Sequence, residues 1–478
     1  MSDTVHPTHT DGVVASVSAG VGGPLGTRAG RHRWWTPVRV VLAIAALTFA
    51  LGMVQKSSCY DDTWTDGTQR YTQMCYSDLP YLYTGRGFAE LAWPYDDDLD
   101  VRSRYEVMEY PVGISYWAWA TAKVTHLITG SPDVSERAQR PTAELFGDPE
   151  IQREIRAFVI VNAIGFAALV LLAAWLLARV DPRRPWDAAM FAASPALALT
   201  ALVNWDLAAV ALVAAAMWAW ARDRPVLTGV LIGLGAATKL YPLFLLGAVL
   251  VICLCDKRVR DFLVTTAAAV VAWVLANAPA YLQGPEEWKV FWTFNSDRGA
   301  DLGSVWLVIS QATDGVDAST INTWSWLLFG AWCVGVFVLG VLAPETPRFA
   351  QLGFLIVAGF LLVNKVYSPQ YVLWLLPLAV LARPRWRDQL VWQATEVFYF
   401  AAVWWYLGGF LAPGGGGDGG VYWVAIVLRM AGELFLVGLV VRDILLPRYD
   451  PVRVDADRLG EPPEPSQDTT TRSNVVAV

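Results

Sequence analysis

The chain has 478 residues, of which 55% are hydrophobic and 17% charged, with 24 tryptophans and a net charge of −7; its mean hydropathy is +0.39. So little polar surface cannot cover so many apolar residues in water, and no stretch offers the dense basic face that nucleic acid requires. The apolar residues fall in runs of about 15–22, close to the length that crosses a hydrocarbon core, so the expected fold is an all-α polytopic membrane protein.

Residues 1–36, rich in Gly, Ser, Thr and Val, are expected to form a disordered cytoplasmic tail. The basic stretch "RAGRHRWWTPVR" has no cleavage site typical of a removable signal. Arg28, Arg31 and Arg33 precede a first span at 37–55 that begins with Arg39, which places the N-terminus in the cytoplasm. Residues 56–109 then form a large outer loop with eleven acidic residues against five basic ones, opposite to a cytoplasmic loop. Cys59 and Cys75 lie in this loop, in an oxidising compartment, and read as a candidate disulfide against the alternative of two free thiols. Cys253, Cys255 and Cys333 sit in or beside apolar runs and read as small buried hydrophobes.

Further apolar segments follow at 110–128, 157–178, 187–202, 207–221, 226–238, 241–255, 262–280, 321–343, 348–364, 370–382, 390–411 and 421–441. The connectors "ARDRP", "DKRVRD", "RPRWRD" and "VRDILLPR" read as cytoplasmic, which leaves "NWD" (204–206), 281–303 and "APGGGGDGG" (412–420) outside. Thirteen crossings from a cytoplasmic N-terminus would put the polar tail 446–478, expected to be mobile from about residue 447, outside, although that tail also reads as cytoplasmic. One segment must therefore fail to cross, and the candidates are 110–128, 226–238 and 370–382; the expectation is 11–13 crossings. Segment 110–128 carries Ser115, Thr121, Lys123, Thr125 and His126. Short or broken membrane helices persist only against protein or a wet cavity, so these places are also candidate site walls.

Ionisable groups near the ends of membrane helices are costly and mark sites. Lys239 in "AATKLYPLF", Lys365 in "NKVYSPQYVLWLLPL" and Arg298 in "FNSDRG" all map to the outer side. Three cations there suit an anionic lipid head such as a phosphate or pyrophosphate; the alternative is independent snorkelling. Asp78 in "YSDLPYLYTGRGF" lies at one end of the outer loop, near Tyr81, Tyr83, Arg86 and Phe88. Glu106, Glu109 and Tyr110 lie at its other end. A carboxylate opposite a phosphate site can take a proton from an acceptor hydroxyl, with aromatics as a sugar-facing wall; the alternative for Asp78 is a helix cap. Asn204 and Asp206 of "NWD" can contact an acceptor or cap the next helix. "YDDDLD" (95–100) reads either as a divalent-cation site or as solvated loop. Gly229, Gly233 and Gly235 permit close helix packing without any ligand. There is no Walker A, no GxGxxG after a strand and no HExxH.

Taken in order, "YSDLPYLYTGRGF", the "YP" of "EYPVG", "GVLIGLGAATKLYPL" and "NKVYSPQYVLWLLPL" resemble the actinobacterial polyprenyl-phosphate-sugar-dependent glycosyltransferases. These are GT-C-type membrane enzymes close to the glycosyltransferase 87 mannosyltransferases. The resemblance spans roughly residues 37–445 and implies a GT-C transmembrane catalytic domain, with short interfacial helices in the 56–109 loop. It also implies an inverting transfer of mannose, arabinose or another sugar from a polyprenyl-phosphate donor to a cell-envelope glycolipid or polysaccharide. Transfer would take place on the outer face of the plasma membrane without a required cofactor or metal. Asp78 would be the general base, with Lys239, Lys365 and Arg298 as donor-phosphate contacts. Tyr81, Arg86, Glu109, Tyr110, Asn204, Asp206, Tyr241, Tyr367 and Gln370 would be substrate or acceptor contacts. The chain departs from the family's "YPP" at Tyr110-Pro111-Val112, and has "NWD" where a Gly-Gln pair is common. The rival readings are a lipid or solute transporter, which predicts an internal repeat not found here, and a non-catalytic assembly protein.

Overall fold

The computed structural model describes residues 4–21, 32–411 and 419–460. Arg28 and Arg31, most of the "APGGGGDGG" loop and residues 461–478 of the expected C-terminal tail lie outside the described residues. Helices and no strands occur among those described, and the chain is an all-α polytopic membrane protein. Several helix starts follow from capping. Thr36 accepts the Arg39 N–H ahead of helix Pro37–Asp61, Asp148 caps Pro149–Leu177, and Ser194 caps Pro195–Thr200. In each, a proline takes the first helical position, where its missing N–H costs nothing.

Contacts at the helix ends sort the connectors onto two faces. On one face, Val5 N–H donates to Arg183 O (2.8 Å) and Trp386 N–H to Asp11 (3.0 Å). Arg184 pairs there with Asp455 (2.6 Å), Arg348 with Asp450 (3.0 Å), Arg383 with Asp443 (2.8 Å) and Arg258 with Asp223 (3.0 Å). Residues 5–11 and 450–455 both lie on this tail face. On the other, the site face, Asp78 N–H donates to Val203 O (2.8 Å), Gly113 N–H to Ala237 O (2.8 Å) and Asp301 N–H to Lys365 O (2.8 Å).

Between the faces run, in turn, Pro37–Asp61, Pro149–Leu177, the broken pair Ala188–Ala192 and Pro195–Thr200, Leu207–Trp220, Pro225–Ala236, Tyr241–Cys255, Val259–Gln283, Ala318–Leu342, Phe349–Val363, Pro369–Ala382, Trp386–Leu407 and Gly420–Leu445, twelve traverses among the described residues. Five of these are long and apolar enough to cross a membrane alone. Phe349–Val363 and Pro369–Ala382 are short and almost wholly buried. They are wrapped by protein rather than lipid, which is where short helices are tolerated.

Helix Val112–Ile128 is the odd one out. It starts beside Ala237 on the site face and ends with His126 Nε2 4.0 Å from Glu154. Glu154 in turn binds Arg137 and the hydroxyl of Tyr83 in the site-face loops. Both of its ends therefore belong to the site face, and Trp117 and Thr121 dock on Asn162 of Pro149–Leu177. The segments 226–238 and 370–382, the other two candidates, do traverse. An even number of traverses returns residues 447–455 to the face that holds residues 5–11.

Two expectations for the tails need correction. Residues 7–21 are not a structureless tail but form helices Pro7–Thr10 and Gly12–Val21, with Asp11 anchored on Trp386. Residues 447–460 likewise form helical turns, because Asp450 and Asp455 are buried partners of Arg348 and Arg184. Composition misleads in both places, since a polar segment gains order by supplying ion-pair partners to the bundle.

Candidate active site

The first long loop builds one end of the site. Ser77 caps helix Asp78–Gly85 through the Leu79 N–H and donates its hydroxyl to Leu202 O (2.8 Å). Cys59 and Cys75 are joined by a disulfide (S–S 2.01 Å), and Trp64 Nε1 donates to Cys75 O (3.3 Å). Asp78 Oδ2 accepts from Asn204 Nδ2 (2.6 Å) and from the Tyr110 hydroxyl (3.3 Å), and Asn204 also donates to that hydroxyl (2.6 Å). Lys239 lies 4.6 Å over the Tyr110 ring and 3.5 Å from Asp206. Burial raises the Asp78 pKa to about 6, while hydrogen bonds from Tyr76, Asn204 and Tyr110 and the Lys239 cation oppose the rise. A carboxylate poised there is ionised at neutral pH yet basic enough to accept a proton.

Two distant loops form the other end. Asp301 N–H donates to Lys365 O and Tyr367 N–H to Leu302 O (2.7 Å), a short backbone ladder. Gly303, at φ 71°, turns tightly against Tyr367 and Tyr399, where a side chain would collide. Lys365 Nζ donates to Asn322 Oδ1 (2.6 Å) and Ser296 O (3.2 Å). Burial, and then the Arg298 charge, depress its pKa. Arg298 pairs with Asp301 through Nε (2.7 Å). Lys239 and Arg298 thus already hold carboxylates, whereas Lys365 has none within ion-pair distance among the described residues. Beneath the ladder, Tyr399 OH donates to Tyr367 O (2.6 Å), and the Arg429 guanidinium lies 3.7 Å over the Tyr367 ring.

One cavity of about 670 Å³ joins the two ends. Of the sequence-predicted residues, Asp78, Glu109, Tyr110, Asn204, Lys239, Arg298, Lys365 and Gln370 line it. Five others do not. Tyr81 donates its hydroxyl to Trp64 O (3.1 Å) and stacks between Tyr76 and Phe146. Arg86 is spent on Glu109 (2.8 Å). Asp206, expected to contact an acceptor or cap the next helix, is fully buried and accepts from Trp374 Nε1 (2.6 Å) beneath Lys239. Tyr241 is buried and stacked on Trp374 at 4.6 Å. Tyr367 donates to Glu396 (3.0 Å) below the ladder. These residues hold the walls rather than face the space. Tyr83 and Phe88, read as further sugar-facing aromatics, are likewise buried in the loop core.

The sequence reading missed other parts of the lining. Tyr71, Tyr76 and Trp404 form an aromatic wall near Asp78. Phe291, Trp292 and Phe294 of helix Pro285–Asp297 flank the cation end, with Trp326, Phe329 and Phe360. That helix carried a readable signal, because Trp288, Phe291 and Trp292 recur at helical spacing against Glu286, Glu287 and Lys289. Tyr71 and Trp404 carried none. In "YDDDLD", Asp98 caps helix Leu99–Arg104 and Asp96 accepts the Asp98 N–H, which accounts for two of the carboxylates as loop structure. No cluster of three or more His, Cys, Asp or Glu able to hold a metal ion occurs among the described residues.

Residues 151–369 match the model of glycosyltransferase family 87. The match supports glycosyltransferase activity. It covers Asn204, Lys239, Arg298 and Lys365 and ends before Asp78 is reached in the other direction, so the carboxylate joins the matched region only through the fold. No curated protein matches the chain.

Proposed function

We propose that the protein is an inverting glycosyltransferase of the plasma membrane that takes a sugar, mannose foremost, from a polyprenyl-phosphate donor. The acceptor is a glycolipid or polysaccharide of the cell envelope. The observation that carries this reading is the single cavity with Asp78 at one end and Arg298 and Lys365 at the other. The catalytic domain is residues 37–445, and positive-inside sorting of the connectors puts the site face outside the cytoplasm.

The acceptor hydroxyl attacks the anomeric carbon from the side opposite the phosphate and gives its proton to Asp78. A bond forms between the acceptor oxygen and that carbon, and the carbon–oxygen bond to phosphate breaks with inversion. The phosphate passes from one negative charge to two, so stabilisation is needed most where it departs. Lys365, lacking a carboxylate partner, supplies it with Arg298, while Lys239 orients Tyr110 and through it the base. No cofactor takes part in these steps. Phe291, Trp292, Trp326 and Phe329 offer the polyprenyl chain an apolar way out toward lipid, where Trp326 is 56% exposed.

The test is a mass-spectrometric transfer assay on purified protein with polyprenyl-phospho-mannose, -arabinose, -glucose and -galactosamine. Transfer by the wild type that is lost in Asp78→Asn, with donor binding intact, is the expected result. Full activity in that variant would remove the base assignment. A transporter reading is not favoured, because the polar and charged lining of this cavity comes from the site-face loops and helix ends.

A further inference from the structure

Lys56 is a buried charge that the displacement chemistry leaves unused. It stands in the last two turns of Pro37–Asp61 and is 4% exposed. A lysine at the end of a span ordinarily turns its ammonium out to the interface. Lys56 instead turns inward, donating to the carbonyl oxygens of Met74 (3.3 Å) and Tyr76 (3.0 Å), with the Phe400 ring at 5.7 Å.

Cys75 stands between those two carbonyls and is bonded to Cys59, which shares a helix face with Lys56. Gln55 adds donors to Gln73 O (3.2 Å) and Met74 O (2.8 Å). One end of the first span thus grips residues 73–76 covalently and through two side chains, and the chain then delivers Asp78 to the cavity. For stability alone this is a poor exchange, because a neutral amide satisfies two carbonyls without desolvating an ammonium. The charge also reaches Asp78 electrostatically. The other groups that act on that carboxylate are Tyr76 on its own loop, Tyr110, Asn204 and Lys239.

We propose that Lys56 is a positioning residue that sets the approach of Asp78 by bracing the carbonyls of Met74 and Tyr76. The proposal rests on Asp78 being the base. The test compares purified full-length Lys56→Met and Lys56→Arg with the wild type, using the donor that the transfer assay identifies. Lys56→Met is expected to lower kcat by about tenfold or more with donor KM within about threefold, since a displaced base costs rate rather than donor binding. Lys56→Arg, which can still donate to both carbonyls, should keep kcat near the wild-type value.

Hydrogen exchange gives a readout independent of activity. Peptides covering residues 73–79 should exchange faster in Lys56→Met, with the spans unchanged. A wild-type kcat in Lys56→Met would overturn the proposal, and so would faster exchange spread over the whole protein. If the wild type transfers from no donor, the base reading falls. Unchanged exchange over 73–79 in Lys56→Met would then dispose of the brace as well, whereas locally faster exchange would leave Lys56 as the organiser of this loop.

Discussion

The two ends of the cavity are held by different physics. The Asp78 end is a loop outside the bundle, fastened to one helix terminus by the Cys59–Cys75 disulfide and by side chains that donate to loop carbonyls. The cation end is a backbone ladder propped from below by groups buried inside the bundle. There Arg429 pairs with Glu433 (2.8 Å), Glu396 accepts from Tyr367, and Tyr422 OH accepts the Gly303 N–H (3.0 Å). The difference predicts that the Asp78 end can be loosened without disturbing the membrane core, whereas the cation end cannot.

The largest effect should come at the base itself. Asp78→Asn keeps the size of the side chain but cannot accept a proton, so transfer should fall by roughly 10²–10⁴ with donor affinity unchanged, read by transfer and binding assays in parallel. Arg429→Met should cost about 3–5 kcal/mol of stability, seen as a lower unfolding temperature in detergent. It removes the partner of fully buried Glu433 and leaves a carboxylate uncompensated. Replacing both Cys59 and Cys75 by serine should cost about 3 kcal/mol, for a sequence separation of 16. If the comparison holds, hydrogen exchange should rise in the outer loop after the cysteine change and through the bundle after the arginine change.

Smaller effects sharpen the contrast further. Lys365→Ala removes a charge-assisted contact worth about 1.5–3 kcal/mol, so donor affinity should weaken by about tenfold to a hundredfold while the pH profile stays put. Lowering the pH through about 6 should do the reverse, reducing the rate and sparing donor binding, because Asp78 takes up its proton there. The sign for stability is opposite to that of an ion-paired carboxylate. With its pKa raised in the fold, Asp78 favours folding below its ordinary value of 3.8, and that contribution is lost as pH rises through about 6. Asp78→Asn should therefore unfold at a higher temperature than the wild type at pH 7, with the gap closing toward pH 4.

Much of the site was legible because ionisable groups near span ends are too costly to be idle. Lys239 and Lys365 stand out on that ground, Arg298 as an outer-loop cation and Asp78 as a loop carboxylate on the same face, although nothing local says that Lys239 and Arg298 are already paired. Lys56 was missed because a lysine near a span end looks like a snorkelling residue until its direction is known. Tyr241 and Tyr367 were misassigned for a related reason, since motif neighbours of a lysine need not point the way the lysine does. Trp404 lies far along the chain, and only the folding of Trp386–Leu407 beside the first loop brings it next to Tyr76.

By itself the sequence determined the class of the molecule, the approximate runs that cross, and the sorting of basic connectors to one face. These follow from hydropathy and charge, which act residue by residue and survive without knowledge of contacts. Tertiary structure alone decided that Val112–Ile128 stays on the site face, that Asp206 is buried in the wall while Asn204 lines the cavity, and that one cavity joins loops more than two hundred residues apart. Those outcomes depend on how helices are rotated and which ends meet, and pairwise packing between distant segments sets both.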